Sequence, residues 1–269
     1  MPDRKVLERI KSATVAIAMQ SPGPLDPRQH PFRIVGTGFC ISSDGIVITC
    51  EHVIAAFSRV NPREAIAGLP KQTDPSAIVP VPGMVATRPE VLFYHFDPDN
   101  DHMLVVPAVV AEAVAKLEYD LGAIRLQPHA VFAKGYPFLD PAEFTLPYEG
   151  LEVGTCGFPM GNDLHLQFKT VSSSFTRGIV SSIAPAPGTK PAQVTGFQLD
   201  ITATFGNSGG PVFDWSDGRV IGVLQGGPIQ QDKKPLPGLA HAEPLYRIMK
   251  DGTIDRLRHG EPRPTLGAT

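Results

Sequence analysis

One serine lies among three glycines in the stretch Thr204-Phe205-Gly206-Asn207-Ser208-Gly209-Gly210-Pro211-Val212. An apolar run of strand length, Phe197–Ile201, precedes this stretch, and a second one, Val220–Leu224, follows it. Because glycine adopts backbone conformations that other residues reach only with strain, the pattern predicts a tight turn between two strands. A serine on such a turn has an exposed hydroxyl with backbone N–H groups around it, which suits acyl transfer. A glycine-rich hairpin with an inert serine gives the same pattern, so the chain must also supply a base.

The composition indicates a globular protein rich in turns. Of the 269 residues, 42% are hydrophobic and 19% are charged, which is ordinary for a soluble domain. The formal net charge of −3 gives no reason to expect nucleic acid or an acidic membrane surface as a partner. The 28 prolines and 26 glycines are spread between short apolar runs. This distribution predicts an all-β fold with many turns.

The amino-terminal residues and the cysteines indicate which cellular compartment to expect for the protein. Residues 1–11 lack the apolar stretch of a signal peptide, so we expect a cytoplasmic protein, provided that Met1 is the natural start. The chain has three cysteines, Cys40, Cys50 and Cys156, and no CxxC motif. Three cysteines cannot all pair within one chain, and free thiols in a reducing compartment are the simpler expectation. A disulfide between Cys40 and Cys50 is the alternative.

A candidate general base follows the first clear hairpin. The runs Ile34–Ile41 and Ile46–Thr49 read as strands joined by Ser42-Ser43-Asp44-Gly45, and Asp-Gly is a strong hairpin signal. Cys50-Glu51-His52-Val53-Ile54 comes directly after the second strand. The end of a strand that leads into a helical turn is a rigid place for a functional imidazole. Alternatively, His52 only satisfies a backbone carbonyl at the strand end.

The region from Ala55 to Lys116 gives a weaker signal, because prolines interrupt its short β-like pieces. It contains a mixed cluster of histidines and aspartates: His95, Asp97, Asp99, Asp101 and His102. Such a cluster suggests a metal site. However, alternating aspartates with Pro98 and Asn100 are typical of a solvated hairpin tip, and we favour that interpretation. No metal is therefore expected.

A candidate orienting acid opens the next clear strand. Leu117–Leu126 has a strand pattern that contains Asp120, and residues 127–149 read as a proline-rich connector. The second half begins near Val153 and has about as many strand-like runs as the first, which favours paired barrels. A helix from Pro244 to Lys250 is predicted near the end of the chain.

Three of these local sequences resemble the trypsin-like (chymotrypsin-fold) serine peptidases, most closely the bacterial trypsin-like and HtrA-type branch. They are Gly36–Ile41 leading to Thr49–Val53, then Asp120–Ile124, then Gly206–Pro211. They occur in the family's order, His, Asp, Ser. Gly157-Phe158-Pro159-Met160-Gly161 also matches the Gly-Tyr-Pro-Leu-Gly element of that branch, and Asp200, eight residues before the serine, matches as well.

The resemblance implies two six-stranded antiparallel β-barrels with short helices at both ends, and serine endopeptidase activity. His52 would act as general base and then general acid, Asp120 would hold its tautomer, and Ser208 would attack the peptide carbonyl to form an acyl-enzyme. The oxyanion hole would lie at the backbone N–H groups of Gly206, Asn207 and Ser208, with Gly206 and Ser208 as donors. No cofactor is implied. The implied peptidase domain covers residues 1–255, with a first barrel at 13–130, a connector at 131–149, a second barrel at 150–243, a carboxy-terminal helix at 244–252 and a tail at 256–269.

The family's substrate pocket is built from the segments before and after the serine. By resemblance, these segments supply Thr202, Ala203, Leu224, Gln225 and Gly226. None of them carries a charge, and a buried charged side chain without a partner is costly. We therefore expect a small or medium uncharged residue before the scissile bond. The alternative is that Asp200 bends into the pocket and selects Arg or Lys.

The chain departs from the family in two places. The 68-residue separation of His52 and Asp120 implies an insertion within 55–117, and Asp97, Asp99 and Asp101 are rival orienting acids in it. Arg33-Ile34-Val35-Gly36 looks like a zymogen cleavage motif, but it lies within the strand only 18 residues before His52. We therefore expect activity without cleavage at Arg33.

Two other functions are compatible with the same motifs. One is a catalytically inactive binding or scaffold protein on the same fold, and the other is an esterase or another acyl transferase. An α/β-hydrolase is disfavoured, because its nucleophile precedes a helix and its histidine comes last in the chain. The expected partners are a polypeptide substrate and, where activity is controlled, a protein regulator. Nucleic acid and membranes are not expected, and no PDZ domain is recognised after the peptidase region.

Overall fold

The chain folds into two closed barrels. A computed structural model of the protein describes residues 2–20, 32–60, 89–97, 102–141, 144–160, 172–184, 194–227 and 237–259. Within these ranges, the strands form two six-stranded antiparallel barrels with the strand orders β1-β2-β3-β6-β5-β4 and β10-β11-β12-β9-β8-β7. The predicted all-β double barrel is confirmed.

The first barrel follows an amphipathic helix, α1 (Arg4–Ala13). Its strands are β1 (Thr14–Gln20), β2 (Phe32–Cys40), β3 (Ile46–Thr49), β4 (Pro89–Asp97), β5 (His102–Lys116) and β6 (Leu121–Leu126), with helix α2 (Glu51–Val60) after β3. The predicted turn between β2 and β3 closes with a hydrogen bond of 3.0 Å from the N–H of Gly45 to the carbonyl of Ser42. The short β3 is buried along its whole length, so it holds the start of α2 rigidly.

Strands β4 and β5 form the predicted hairpin, whose last described pair is Asp97 with His102. Asp99 and Asp101 lie outside the described residues, as do residues 61–88 of the region 55–117 in which the insertion is predicted. The side chains of His95, Asp97 and His102 also lie outside what the structure describes. The predicted cluster therefore stays a sequence-based interpretation.

The second barrel is followed by two short helices. Its strands are β7 (Glu152–Gly157), β8 (Ser174–Ala184), β9 (Gly196–Leu199), β10 (Pro211–Asp214), β11 (Val220–Gly226) and β12 (Ala240–Pro244), and the helices are α3 (Tyr246–Lys250) and α4 (Thr253–His259). The sequence predicts one carboxy-terminal helix and a tail from residue 256, whereas α4 continues to His259. Residues 260–269 lie outside the described part.

The carboxy-terminal helices pack back onto the first barrel. Ile248 of α3 and Ile254 and Leu257 of α4 are buried in the same apolar cluster as the first-barrel residues Ile46 and Ile124. Burial of each such side chain stabilises the fold by on the order of 2 kcal/mol. Helices α3 and α4, which follow the second barrel, thus fasten it to the first barrel.

Among the described residues, no helix has the length and apolar character needed to cross a membrane.

Cys40, Cys50 and Cys156 are all free and buried, as expected, and the alternative disulfide between Cys40 and Cys50 is not formed.

Candidate active site

The imidazole of His52 is hydrogen-bonded to the carboxylate of Asp120. His52 is the second residue of α2, and its Nδ1 lies 2.9 and 2.8 Å from the two carboxylate oxygens of Asp120. The backbone N–H of His52 also donates to Asp120 Oδ1, at 3.0 Å. Because a carboxylate oxygen accepts, this arrangement places a proton on Nδ1 and leaves Nε2 as the nitrogen that can serve as a base.

Asp120 lies in a turn rather than within a strand. The sequence predicts a strand from Leu117, but residues Leu117–Tyr119 form a 3₁₀ turn and β6 begins at Leu121. Asp120 itself has a left-handed backbone with φ 49° and ψ 42°. Such a conformation costs a non-glycine residue roughly 1 to 3 kcal/mol unless its surroundings fix it.

Contacts from the second half of the chain fix this turn. The side-chain amide of Gln225, in β11, donates to the carbonyl of Tyr119 at 3.0 Å. The guanidinium of Arg247, in α3, lies 4.6 Å from the centre of the Tyr119 ring. The Tyr119 hydroxyl donates to Asp251, which also pairs with Lys116 at 3.1 Å. The residue before Asp120 is therefore held at its carbonyl, its ring and its hydroxyl.

Ser208 lies on the predicted turn between β9 and β10. The N–H of Gly209 donates to the carbonyl of Leu224 at 2.7 Å, and the thiol of Cys50 donates to the same carbonyl at 3.3 Å. A Cβ atom on Gly209 would lie 3.2 Å from the backbone nitrogen of Cys50. The serine turn therefore packs against the segment that leads into His52.

The turn contains two N–H groups that are available to a ligand. The N–H of Asn207, which the sequence includes in the oxyanion hole, instead donates to the carbonyl of Thr204 at 3.1 Å. Among the described residues, the N–H groups of Gly206 and Ser208 donate to no other backbone group. Gly206 has φ 96°, which favours glycine.

Thr37, a buried residue of β2, connects the serine turn to the first barrel. Its N–H donates to the carbonyl of Ser208 at 2.8 Å, and its hydroxyl donates to the carbonyl of Gly206 at 2.5 Å. The same hydroxyl accepts the N–H of Phe158 at 3.1 Å. Thr37 belongs to the motif Gly36–Ile41, but that motif did not predict a role for it. The only signal was a polar residue between two glycines in an apolar strand.

The hydroxyl of Ser208 donates to the backbone carbonyl of Gln225 at 2.8 Å. A hydroxyl has one proton, so in this structure that proton is directed to β11 and not to His52. For proton transfer to the imidazole, the side chain of Ser208 must leave the Gln225 carbonyl.

A cavity of about 330 Å³ lies next to the serine. It is lined by Gln198, Gln225, Gly226, Gly227, Leu239, Ala240 and His241. A Cβ atom on Gly226 would lie 3.6 Å from Ser208 Oγ, which places this wall against the hydroxyl.

The residues predicted to form the substrate pocket separate into two groups. Gln225 and Gly226 line the cavity, but Leu224 and Ala203 are 0% and 1% exposed and pack in the core of the second barrel. Thr202 accepts a hydrogen bond of 3.0 Å from the N–H of Gly238. Asp200, the alternative selector, accepts the N–H of Ile179 at 2.6 Å and does not line this cavity. His241, a polar residue of its wall, was missed because its strand, β12, gave no motif.

Cys50, His52 and Asp120 are a poor metal site, although their ligand atoms lie within 4.8 Å of one another. Burial raises the pKa of the Cys50 thiol well above its ordinary value, and the thiol donates its proton to the Leu224 carbonyl. A metal requires the thiolate, which this environment disfavours.

Comparisons with known proteins agree with this architecture. The family model described as a trypsin-like peptidase domain matches residues 36–223, more than half of the chain. A mitochondrial serine protease HTRA2 from Bos taurus is 28% identical over 246 residues, which are 90% of this chain and 41% of that protein. The chain therefore spans less than half the length of this relative.

Solved structures show the same fold at lower identity. The HtrA-type protease AlgW with a tripeptide aligns with a TM-score of 0.58 and 16% identity, over 95% of this chain and 64% of that one. AlgW with a decapeptide gives a TM-score of 0.56 and 18% identity, over 95% and 67%. The MamO protease domain from Magnetospirillum magneticum, in its apo form, gives 0.53 and 15%, over 90% and 97%.

Proposed function

The chain belongs to the trypsin-like peptidase family, and on that premise we propose that it is a serine endopeptidase that acts through His52, Asp120 and Ser208. The observation that carries the proposal is the hydrogen-bonded pair of His52 and Asp120. Asp120 holds Nδ1 of the imidazole, and no hydrogen bond to Nε2 is made by the residues that the structure describes. The second barrel adds a serine on a turn with two available N–H groups. A nucleophile, a base, an orienting acid and an anion site are the parts that acyl transfer needs.

The first chemical step is acylation of the serine. His52 Nε2 takes the proton of Ser208 as Oγ forms a bond to the peptide carbonyl carbon, and the carbonyl oxygen becomes an oxyanion. The N–H groups of Gly206 and Ser208 stabilise that oxyanion, and loss of one such donor typically lowers the rate by about 100- to 1000-fold. The protonated imidazole, stabilised by Asp120, then gives its proton to the leaving amine as the C–N bond breaks.

Deacylation repeats the same sequence with water. His52 removes a proton from a water molecule, the resulting oxygen attacks the acyl carbon, and Ser208 leaves as the alkoxide that regains its proton from His52. These steps use only protein side chains and backbone. The residues that we expect in the pocket, such as Thr202, Gln225 and Gly226, carry no charge, which supports small or medium uncharged residues before the scissile bond.

The test is activity of the purified chain on a peptide library, combined with labelling of the serine by a fluorophosphonate. Alanine replacement of Ser208, His52 or Asp120 is each expected to remove nearly all turnover, and double mutants should be little worse because the three residues act as a unit. Ser216→Ala, a serine on another turn of the second barrel, is the matched control and should retain activity. An Asp120→Ala enzyme with nearly unchanged turnover would mean that another acid, such as Asp97, orients His52.

An inactive scaffold protein is the second candidate. The observation that favours it is the hydrogen bond of the Ser208 hydroxyl to the Gln225 carbonyl. A scaffold protein would bind peptides without cleaving them and would not react with the fluorophosphonate. An esterase would react with the probe but leave the peptide library intact, so the two measurements together separate the three functions.

A further inference from the structure

The side chain of Gln225 fixes the position of a proton on His241. Its Nε2 lies 3.0 Å from the Tyr119 carbonyl, which can only accept, so the amide nitrogen faces that carbonyl. The amide oxygen, Oε1, then faces Nδ1 of His241 at 2.7 Å. Because an amide oxygen only accepts, Nδ1 of His241 must carry the proton.

The opposite nitrogen of His241 is consequently an acceptor. Burial lowers the pKa of His241 below its ordinary value, although Asp120 has the opposite effect. The ring is therefore neutral at neutral pH, with the proton on Nδ1 and none on Nε2. A Cβ atom on Gly196 would lie 2.8 Å from Nε2, so the absence of a side chain there leaves room for the ring.

Within the described part of the chain, few charged groups face this imidazole. Asp120 acts on it from the turn before β6. Glu243, two residues further along β12, pairs with Arg247 of α3. The facing residues of β9 and β11 are the uncharged Gln198 and Gln225.

The cavity next to Ser208 therefore has a defined hydrogen-bonding character. Gly226, Gly227 and Ala240 leave its walls open, and Gln198, Gln225 and His241 supply polar groups. Among the lining residues that the structure describes, none is a carboxylate, a lysine or an arginine. Its volume of about 330 Å³ lies at the lower end of ligand pockets and suits one amino-acid side chain.

We propose that this cavity selects an amide or hydroxyl side chain of the substrate, at or beside the residue before the scissile bond, and that Nε2 of His241 accepts its hydrogen bond. The proposal rests on the proposed endopeptidase function. A carboxylate side chain would place a second acceptor against Nε2 and is excluded until His241 gains a proton. A cationic side chain would lose its hydration without a carboxylate to replace it. His241 and Gln225 are therefore specificity-determining residues, with Gln225 acting through His241.

The experiment compares peptides that differ only in having Gln, Glu or Leu at each of the four positions before the scissile bond. With the unmodified enzyme at about pH 8, kcat/KM for Gln at one of these positions should exceed that for Glu and for Leu by about tenfold, the equivalent of one hydrogen bond. As the pH falls through the lowered pKa of His241, the Glu peptide should gain relative to the Gln peptide, because protonated His241 donates from Nε2. His241→Leu should abolish the Gln preference and its pH dependence, and His241→Gln should restore part of the preference.

A second measurement does not depend on the folding of these variants. In the Ser208→Ala protein, the ¹⁵N resonance of His241 Nε2 should have the shift of an unprotonated nitrogen, and it should move on addition of the Gln peptide but not of the Leu peptide. If the unmodified enzyme cleaves the library but its profile matches that of His241→Leu at all four positions, the specificity proposal is wrong and the peptidase function stands. If the unmodified protein neither cleaves nor reacts with a fluorophosphonate, the peptidase function fails and the specificity proposal fails with it.

Discussion

Gly206 lies so close to Phe158 that a Cβ atom at position 206 would overlap the carbonyl oxygen of Phe158. The two residues belong to the serine turn and to the segment after β7, and Met160 of that segment donates its N–H to the carbonyl of Phe205 at 2.7 Å. Backbone lies directly against backbone here. The position of the Gly206 N–H therefore depends on the absence of a side chain.

Gly206→Ala is expected to lower kcat at least about 100-fold, because the turn must move and one oxyanion donor is displaced. Gly252→Ala is the matched control. Gly252 also has a positive φ, 76°, but a Cβ atom there would meet nothing within 4 Å. The control should lose some stability and little activity. Steady-state kinetics of both variants check the prediction, and equal losses of kcat would contradict it.

Cleavage after Arg33 is expected to damage the protein and not to activate it. Arg33 and Ile34 lie inside β2, paired with Met19 and Ala18 of β1. Ile34 is also buried, in an apolar cluster with Leu92 and Phe158. A cut between them would divide a paired strand and place a charged amino group in this cluster.

The intact chain should therefore be active as purified, and Arg33→Gln should have the same kcat and melting temperature. Mass spectrometry of the active protein should show an uncut bond between residues 33 and 34. Activity that appears only together with a new amino terminus at Ile34 would overturn this interpretation.

Glu243 should make stability fall as the pH rises. Burial raises the pKa of this carboxyl group from 4.5 to about 7, and the opposing effect of Arg247 is smaller. The folded state therefore keeps a proton that the unfolded state loses above about pH 4.5. The stabilisation that this proton gives to the folded state is complete below about pH 4.5 and is lost as the pH rises through about 7.

The shift corresponds to about 3 kcal/mol between pH 4.5 and pH 8. Urea unfolding at several pH values should show that the unmodified protein loses this amount relative to Glu243→Gln over the same range. Glu8→Gln, at an exposed ion pair with Arg4, is the control and should leave the pH dependence unchanged. Parallel curves for the unmodified protein and Glu243→Gln would exclude a proton on Glu243.

The three thiols should be inert in the folded protein. Burial raises the pKa of Cys40 to about 12 and that of Cys156 to about 11, and it raises the pKa of Cys50 well above the ordinary value. Thiol–disulfide exchange requires the thiolate, so a chromogenic disulfide reagent at about pH 8 should detect no thiol before unfolding and all three in guanidinium chloride. Rapid reaction of one thiol in the folded state would show that its site opens.

The fold and the central residues of the candidate site could be predicted from short local patterns. Asp-Gly marks the hairpin before His52, and the glycines around Ser208 mark its turn, because turn geometry depends on a few adjacent residues. The positions of His52 and Asp120 at the ends of buried strands follow from the same kind of pattern.

The remaining features of the site depend on contacts between distant residues. Thr37 is 169 residues from Gly206, and Gln225 is 106 residues from Tyr119, so no local pattern connects them. The register of β11 against β12 shifts between Leu224 and Gly226. Such an irregularity alters which side chains face the core, so the resemblance that placed Leu224 in the pocket could not show that this side chain is buried.

The hydrogen bond from the Thr37 N–H to the Ser208 carbonyl crosses between the barrels. The hydrogen exchange of this one backbone amide therefore reports on the contact between them. Hydrogen–deuterium exchange at Thr37 requires that bond to break, which means that the two barrels must separate at the nucleophile. Its exchange rate therefore reports how often the docked arrangement opens, independently of any substrate. A covalent adduct on Ser208 that fills the oxyanion site would favour the docked state, so the protection of this single amide would measure how strongly catalysis and barrel docking are coupled.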